Sequence, residues 1–398
     1  MISPNAIPRL DPSPFIPLVI VLAYRSAGHS KCDLGSLPRQ RARCDTRAAM
    51  KVLFLMLACA ALIHGSPIYT IANLGNLGGS SATGFQINDA GAVVGWAETV
   101  TGNQQAFAAA AGGTLRGLNS QSASDSYAFD INGANTIVGT SYVNGEEHGT
   151  VWSGSSTTDL GAGVFAMAIN STGTITGSNG HAFTLVNGTY QDLGVLPGGD
   201  WSAAYGINDS GTVAGYGDIA SGLFRAIIWN PDGTVTELGT LGGANSYATA
   251  INNGGQVIGH AGTTSGFDHA FTETGRSMQD LGTLDGGCSY AYGINDAGTI
   301  VGYSWSETED TPRAFVYSGG AMRDLNSLIT PGSGWQLEQA YGINAAGEIV
   351  GVGTFRGQSS AFLLTPISPI PEPHPIVLLL VILFIIAGTF RHRMRYLG

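Results

Sequence analysis

Lysine is missing from residues 66–370, and positive charge of any kind is scarce there. This region holds six arginines against 24 aspartates and glutamates, which gives it a formal charge of −18. The whole chain carries −11, because basic residues are concentrated at its two ends. A surface this acidic repels the phosphates of nucleic acids and of anionic lipids. We therefore expect no nucleic-acid partner.

Cysteine and the common catalytic motifs are also lacking. Three of the four cysteines, Cys32, Cys44 and Cys59, precede residue 66, so Cys288 is alone and no intrachain disulfide framework is expected. The chain has no Gly-x-Ser-x-Gly elbow, no Walker loop, no His-Glu-x-x-His and no calcium-loop pattern. We predict no catalytic residue, no metal site and no cofactor.

One sequence motif occurs seven times. Its clearest copy, AYGINDAGTIVG, covers residues 291–302, and its Ile-Asn pair recurs at intervals of 44, 38, 38, 44, 43 and 49 residues. A fixed period near 43 residues indicates a repeat protein. The repeat asparagines are Asn88, Asn132, Asn170, Asn208, Asn252, Asn295 and Asn344.

Two positions after each repeat asparagine indicate a hairpin. The third position is glycine in six copies and Asn135 in the other, the residues that best tolerate a positive φ. The seventh position is always glycine, which predicts bulges or narrow places where strands converge near an axis. These glycines are Gly95, Gly139, Gly177, Gly215, Gly259, Gly302 and Gly351. Aspartates directly after a repeat asparagine, at Asp89, Asp209 and Asp296, are expected to cap their own turns.

The copy at 289–325 reads as four short strands, at 289–295, 299–304, 313–317 and 321–325. Four strands in about 43 residues, seven times over, predict an all-β, seven-bladed β-propeller at 67–366. Residues 69–75 form a lone fourth-strand phrase, and 360–364 a third strand without a fourth, so the N-terminal strand is expected to close the ring. A β-solenoid, which needs capping repeats, and a paired sandwich are the alternatives.

The N-terminal segment lacks the repeat. Residues 50–66 resemble a signal peptide: Lys51 is followed by an apolar run and then by small residues. Residues 1–49 are then either an over-extended gene start or a disordered leader. A lipoprotein signal ending at Cys59 is a further alternative.

The C-terminal segment has three parts: a Pro-rich linker at 367–374, an apolar run at 375–390 and a basic tail at 391–398. At about 1.5 Å per residue the run reaches roughly 24 Å, short for a ~30 Å hydrocarbon core but workable in a thinned bilayer. We predict a C-terminal transmembrane helix with its arginines in the cytoplasm.

This tail resembles the PEP-CTERM sorting signal of Gram-negative bacteria. The resemblance implies recognition by an exosortase, cleavage near the Pro-Glu-Pro, and release or attachment outside the cell. A plain C-terminal anchor is the alternative. The residues that carry the resemblance to the sorting signal are Pro371, Glu372, Pro373, Arg391, Arg393 and Arg395.

The repeats resemble bacterial extracellular HAF-repeat proteins, through DLGTL at 280–284, GINDAG at 293–298 and His-Ala-Phe at 269–271. The triplet is intact only here and at His181; His148 is followed by glycine, and other copies begin with Gln105, Arg225, Arg313 or Ser360. The resemblance implies an extracellular location and a propeller-like fold, and it brings no activity or ligand. The histidines lie one per repeat, too far apart in a ring to share a metal.

Loops between the fourth strand of one repeat and the first strand of the next carry aromatic residues that are able to stack on sugar rings. Packing of the same side chains between blades is the alternative. The candidate glycan-binding residues are Asp200, Trp201, Asn245, Tyr247, Tyr290 and Trp335. Together these features predict an exported, non-catalytic surface or matrix protein that binds exopolysaccharide. The alternatives are a glycan lyase or hydrolase with carboxylates around the channel, and a purely architectural spacer.

Overall fold

Each repeat folds into one four-stranded antiparallel sheet, and seven such sheets form a closed ring. The computed structural model describes residues 68–118, 124–275, 277–306, 308 and 311–367. The predicted seven-bladed β-propeller is therefore confirmed. The N-terminal strand is β1 (Tyr69–Asn73). Blade 1 contains β2 (Gly78–Ile87), β3 (Val93–Thr99), β4 (Gln104–Ala109) and β5 (Arg116–Gly117). Blade 2 contains β6 (Ser126–Ile131), β7 (Thr136–Val143), β8 (Glu146–Ser153) and β9 (Ser156–Ala162).

The next four blades follow the same order along the chain. Blade 3 contains β10 (Phe165–Ile169), β11 (Ile175–Ser178), β12 (Ala182–Val186) and β13 (Thr189–Gly194). Blade 4 contains β14 (Ser202–Ile207), β15 (Val213–Asp218), β16 (Phe224–Trp229) and β17 (Val235–Glu237). Blade 5 contains β18 (Gly242–Ile251), β19 (Val257–Thr263), β20 (Asp268–Thr274) and β21 (Ser277–Asp280). Blade 6 contains β22 (Cys288–Ile294), β23 (Ile300–Trp305), β24 (Arg313–Ser318) and β25 (Ala321–Asp324).

Blade 7 joins the two ends of the propeller. It consists of β26 (Trp335–Ile343), β27 (Ile349–Phe355), β28 (Gln358–Pro366) and the N-terminal β1 as its outermost strand. The β1 register runs from Tyr69 opposite Pro366 to Asn73 opposite Phe362. The predicted closure by the N-terminal strand is therefore confirmed, and the closed ring excludes the alternative of a β-solenoid.

Apolar packing between neighbouring sheets holds the ring together. Val301 and Val316 of blade 6 share one buried cluster with Leu337 and Ile349 of blade 7. The phenylalanine of the third strand is fully buried in five blades, where it contributes about 1.5–3 kcal/mol relative to an exposed ring. These phenylalanines are Phe107, Phe183, Phe271, Phe315 and Phe362.

The first strand of each blade lies innermost, because the seven first strands contact one another around the ring. Each ends at its repeat asparagine, so all seven asparagine hairpins lie on one side, here called the hairpin face. The loops from a fourth strand into the next first strand lie on the opposite side, the loop face, because neighbouring strands are antiparallel.

The only helical element among the described residues is a 3₁₀ turn, Leu325–Leu328. No helix in that part of the chain is long and apolar enough to cross a membrane. The predicted transmembrane helix at 375–390, the Pro-Glu-Pro motif, the basic tail, the signal peptide and residues 1–49 lie outside the described residues.

Candidate functional site: the central channel and its two mouths

The seven repeat asparagines form a closed ring of hydrogen bonds at the hairpin face. Each side-chain amide donates to the backbone carbonyl of the repeat asparagine in the next blade, over 3.1–3.2 Å. The last bond runs from Asn344 to Asn88 and closes the circle at 3.2 Å. All seven side chains are only 3–8% exposed. This asparagine ring ties every blade to the next.

The same side chains also fix the hairpins. Each asparagine Oδ1 accepts the backbone N–H four residues later, at 2.9–3.0 Å. The third residue after each asparagine has a φ of +60° to +85°, Asn135 included. The predicted hairpin with a left-handed residue is confirmed. An amide is required because one group must accept within its own blade and donate to the next.

The aspartates after the repeat asparagines do not cap their own turns, contrary to expectation. Asp89 accepts the N–H of Ala345 from blade 7, at 2.9 Å. Asp209 and Asp296 likewise accept N–H groups of the preceding blade, from Ser171 and Asn253 at 2.9 Å. The physical reason is that the asparagine already caps its own turn. The aspartates therefore form a second, partial set of links between blades.

The glycine seven residues after each asparagine lies opposite a bulge in the first strand. Gly302 pairs with Ala291, and the register shifts between Ala291 and Gly293. A Cβ atom built on Gly302 would overlap the Tyr290 carbonyl oxygen and lie 2.9 Å from Cζ of Phe315. The predicted close approach of strands is confirmed, and a positive φ plays no part at this position.

Aromatic side chains line the channel itself, three residues before the repeat asparagines. Phe85 contacts Phe129 and Tyr341 with ring centroids 5.9 and 5.4 Å apart, and Tyr341 contacts Tyr292 at 5.3 Å. Tyr205 holds the same position in blade 4, while Met167 and Thr249 complete the circle. We call these seven residues the channel wall. They surround a cavity of about 340 Å³.

One carboxylate, that of Asp130, belongs to the cavity inside the channel wall. Its two oxygens accept the N–H groups of Ile131 and Ile169, each at 2.8 Å. The residue is half-buried: protein atoms pack closely around it, and part of its surface faces the channel. This burial raises the pKa of Asp130 to about 7, against the lowering effect of the two N–H groups.

A second set of rings lies nearer the loop face and spans blades 4 to 6. Trp201 contacts Tyr216 at 5.4 Å, and Tyr216 contacts Tyr247 at 4.8 Å. His260 links Tyr247 to Tyr290, with centroids 4.8 and 4.9 Å apart. We call these five residues the loop-face array. The structure thus brings together three of the candidate glycan-binding residues, and all five rings keep some exposed surface.

The other three candidates lie apart from this array or have a structural contact. Trp335 packs against Phe355 at 4.8 Å and, partly buried, against the core shared by blades 6 and 7. Asn245 uses its Oδ1 to accept the N–H of Phe224 at 2.9 Å, whereas Asp200 has an exposed side chain. Only Asp200 among these three presents a polar group freely accessible to a ligand beside Trp201.

His260 is the one imidazole in the loop-face array. Its Nδ1 is buried without a hydrogen-bond partner among the described residues. Burial lowers the pKa of His260 to about 4, so the ring is neutral at physiological pH. The loop-face array is therefore an uncharged aromatic surface.

The histidine of the His-Ala-Phe triplet has a structural partner in the fourth strand of its own blade. Nδ1 of His269 lies 2.9 Å from the Asp280 carboxylate, and the pairs His148–Asp159 and His181–Asp192 have the same geometry at 3.0 Å. Arginine takes the place of histidine in blades 4 and 6, where it pairs with Glu237 or Asp324. The position therefore requires a side chain that contacts the fourth-strand carboxylate, which either histidine or arginine provides.

We expect His269→Arg to change the free energy of unfolding by less than about 0.5 kcal/mol, and His269→Ala to cost less than about 1 kcal/mol. The reason is that this pair lies at the outer, solvated edge of the blade, where an arginine can replace the imidazole. Thermal unfolding followed by circular dichroism measures both. A cost above about 2 kcal/mol for His269→Arg would show that the imidazole itself is required.

The chain matches no protein-family model and no curated protein. Among solved structures, a Mycobacterium tuberculosis puromycin-hydrolyzing peptidase aligns with 77% of this chain at 13% identity and a TM-score of 0.51. This chain spans 55% of that peptidase. TolB from Acinetobacter baumannii aligns at 11% identity and a TM-score of 0.41, covering 84% of this chain and 72% of TolB. At 13% identity the likeness to the peptidase shows the propeller fold alone.

Sequence reasoning missed the channel wall and two of the five residues of the loop-face array, Tyr216 and His260. A signal for the wall was present: the residue three positions before the repeat asparagine is aromatic in five of seven copies. The acid eleven or twelve residues after each triplet histidine or arginine was likewise a readable sign of a cross-strand pair.

Proposed function

We propose that this protein is an exported, non-catalytic propeller that binds an extracellular polysaccharide through its loop face. The observation that carries the proposal is the loop-face array, whose partly exposed rings form one continuous surface over three blades. Pyranose rings present apolar C–H faces that stack on such aromatic surfaces. Asp200 beside Trp201 offers an acceptor for sugar hydroxyls.

The proposal includes the location of the protein, outside the cell. The resemblance of residues 371–373 and the following segments to a PEP-CTERM signal supports export, a transmembrane helix at 375–390 and handling by an exosortase. The acidic, lysine-free composition of residues 66–370 suits a protein that acts outside the cell and not on nucleic acid.

Glycan binding is tested with the purified full chain on a polysaccharide array that includes the exopolysaccharide of the source bacterium. We expect binding that Trp201→Ala and Tyr247→Ala each reduce about tenfold, which corresponds to the loss of a stacking contact worth about 1.4 kcal/mol. Tyr190→Ala is the matched control, because Tyr190 is a partly exposed ring on the outermost strand of blade 3.

Three outcomes separate the alternatives. Binding that persists in both array variants would remove the loop face as the site. No binding to any polysaccharide would favour an architectural spacer. Shortening of a polysaccharide during incubation would favour a lyase or hydrolase, for which Asp89, Asp209 and Asp296 supply carboxylates at the hairpin-face mouth.

A further inference from the structure

The channel wall encloses a site of a different character from the loop face. Its cavity of about 340 Å³ lies at the small end of the roughly 300–1,000 Å³ typical of small-molecule sites. Four of its rings, Phe129, Phe85, Tyr341 and Tyr292, follow one another in contact around the channel. Tyr205 and Met167 belong to the remaining wall.

The charge inside this cavity is negative. Asp130 is the only charged residue among those that line it. A carboxylate has about four lone-pair positions, so the two N–H groups that Asp130 accepts leave capacity for a ligand. The adjoining mouth at the hairpin face adds Asp89, Asp209 and Asp296, and no lysine or arginine lines either space.

The polar groups of the wall already have partners. Thr249 donates its hydroxyl to the Ala291 carbonyl at 2.7 Å. The Tyr205 hydroxyl lies 3.1 Å from that of Tyr216, the Tyr341 hydroxyl bonds to Gln339, and the Tyr292 hydroxyl bonds to Tyr303. A ligand rich in hydroxyls would therefore find few free partners here. The described residues also hold no cluster of three or more metal-ligating side chains.

From this combination we infer that the central channel binds a small organic cation, of the quaternary ammonium class, with the aromatic wall around its methyl groups and Asp130 as the counter-charge. Aromatic faces attract cations through the ring quadrupole, most strongly where the cation is desolvated. A quaternary ammonium needs no hydrogen bond, which matches a wall whose hydroxyls each already have a partner in the protein. The inference is independent of glycan binding at the loop face.

The test is calorimetric titration of the purified full chain with choline and with its neutral isostere, 3,3-dimethylbutan-1-ol. The two molecules share shape and hydroxyl and differ in charge. We expect choline to bind at least about tenfold more tightly, because only the cation gains the ring and carboxylate attraction. Equal affinity for both, or no heat with either, would overturn the inference.

Variants assign the binding to this cavity. Tyr292→Leu keeps an apolar side chain but removes the ring face, and Asp130→Asn removes the charge. We expect each to weaken choline binding about tenfold or more, while Tyr190→Leu, on an outer strand, leaves it unchanged. A melting temperature for each variant separates loss of binding from loss of fold. Unchanged choline binding in both wall variants would overturn the inference.

The pH dependence supplies an independent readout. Because the pKa of Asp130 is about 7, choline binding should strengthen as the pH rises through neutrality, and Asp130→Asn should abolish that rise. Titratable groups near Asp130 include Tyr127 of β6 and the wall residues Tyr292 and Tyr341, whose pKa values burial raises above the ordinary tyrosine value. Asp89, Asp209 and Asp296 face the adjoining mouth, and the strands packed against β6 contribute two further groups. Glu98 of β3 lies towards the loop face, where it accepts from Ser80, and Tyr142 of β7 has a pKa above its usual range because of nearby Glu147. A pH profile that Asp130→Asn does not change would contradict the assignment.

Discussion

Replacing Gly302 by valine is expected to lower the free energy of unfolding by about 3 kcal/mol or more. The new Cβ would occupy the space of the Tyr290 carbonyl oxygen on the paired strand, and its methyl groups would press on Phe315. Backbone cannot move aside as a flexible side chain does, so β22 and β23 must separate locally and lose ladder hydrogen bonds. Urea denaturation of the purified variant measures the loss.

Gly133→Val is the matched control for this experiment. Gly133 lies in an exposed hairpin with an ordinary φ, and a Cβ added there has no atom within 4 Å. The same glycine-to-valine change should therefore cost less than about 1 kcal/mol. Equal losses at Gly133 and Gly302 would show that chain entropy, and not the close approach of two strands, explains the invariant glycine.

Removing one side-chain amide from the asparagine ring should lower the free energy of unfolding nearly as much as Gly302→Val does. In Asn295→Ala, the Thr299 N–H loses its partner, and the Asn344 carbonyl keeps only its bond from the Gly347 N–H. At about 1–3 kcal/mol for the unsatisfied N–H and about 0.5–1.5 kcal/mol for the other lost bond, we expect a total loss of about 2–4 kcal/mol. Urea denaturation gives this value directly, and a loss below about 1 kcal/mol would mean that water replaces both bonds.

Asn295→Asp removes only the hydrogen bond that the side-chain amide donates and keeps the one that the side chain accepts. The carboxylate still accepts from Thr299, but it turns an oxygen towards the Asn344 carbonyl where the amide had donated. Repulsion and burial raise the pKa of the introduced carboxyl above its unfolded value of about 3.9. The folded state then binds more protons than the unfolded state, so stability falls as the pH rises through that window. We expect greater stability at mildly acidic than at neutral pH, relative to the wild type.

Much of the fold is readable from the sequence because the repeat is long and regular. The period, the four strands per copy and the offset of the two ends lead to seven blades and to closure by β1. Gly302 and the positive φ at Gly298 follow from residue type alone, because few other residues tolerate a close backbone or a left-handed turn.

The rest depends on contacts between repeats, which a period does not show. The pattern marked Asn295 as invariant but did not reveal that its amide reaches Asn344, 49 residues away. The carboxylate of Asp89 bonds to a turn at the other end of the chain, and not to its own. The repeat shows an aromatic position three residues before the asparagine, but it does not show that these seven side chains meet around one channel.

The strand pairing in blade 7 also determines on which face of the propeller its two ends lie. Strand β28 runs towards the hairpin face, and the Ile367 N–H donates to the Ile68 carbonyl at 2.7 Å beside the start of β1. Both ends of the propeller therefore leave it at one point on that face. A tether attached to either end would hold the hairpin face towards its anchor and display the loop face outward.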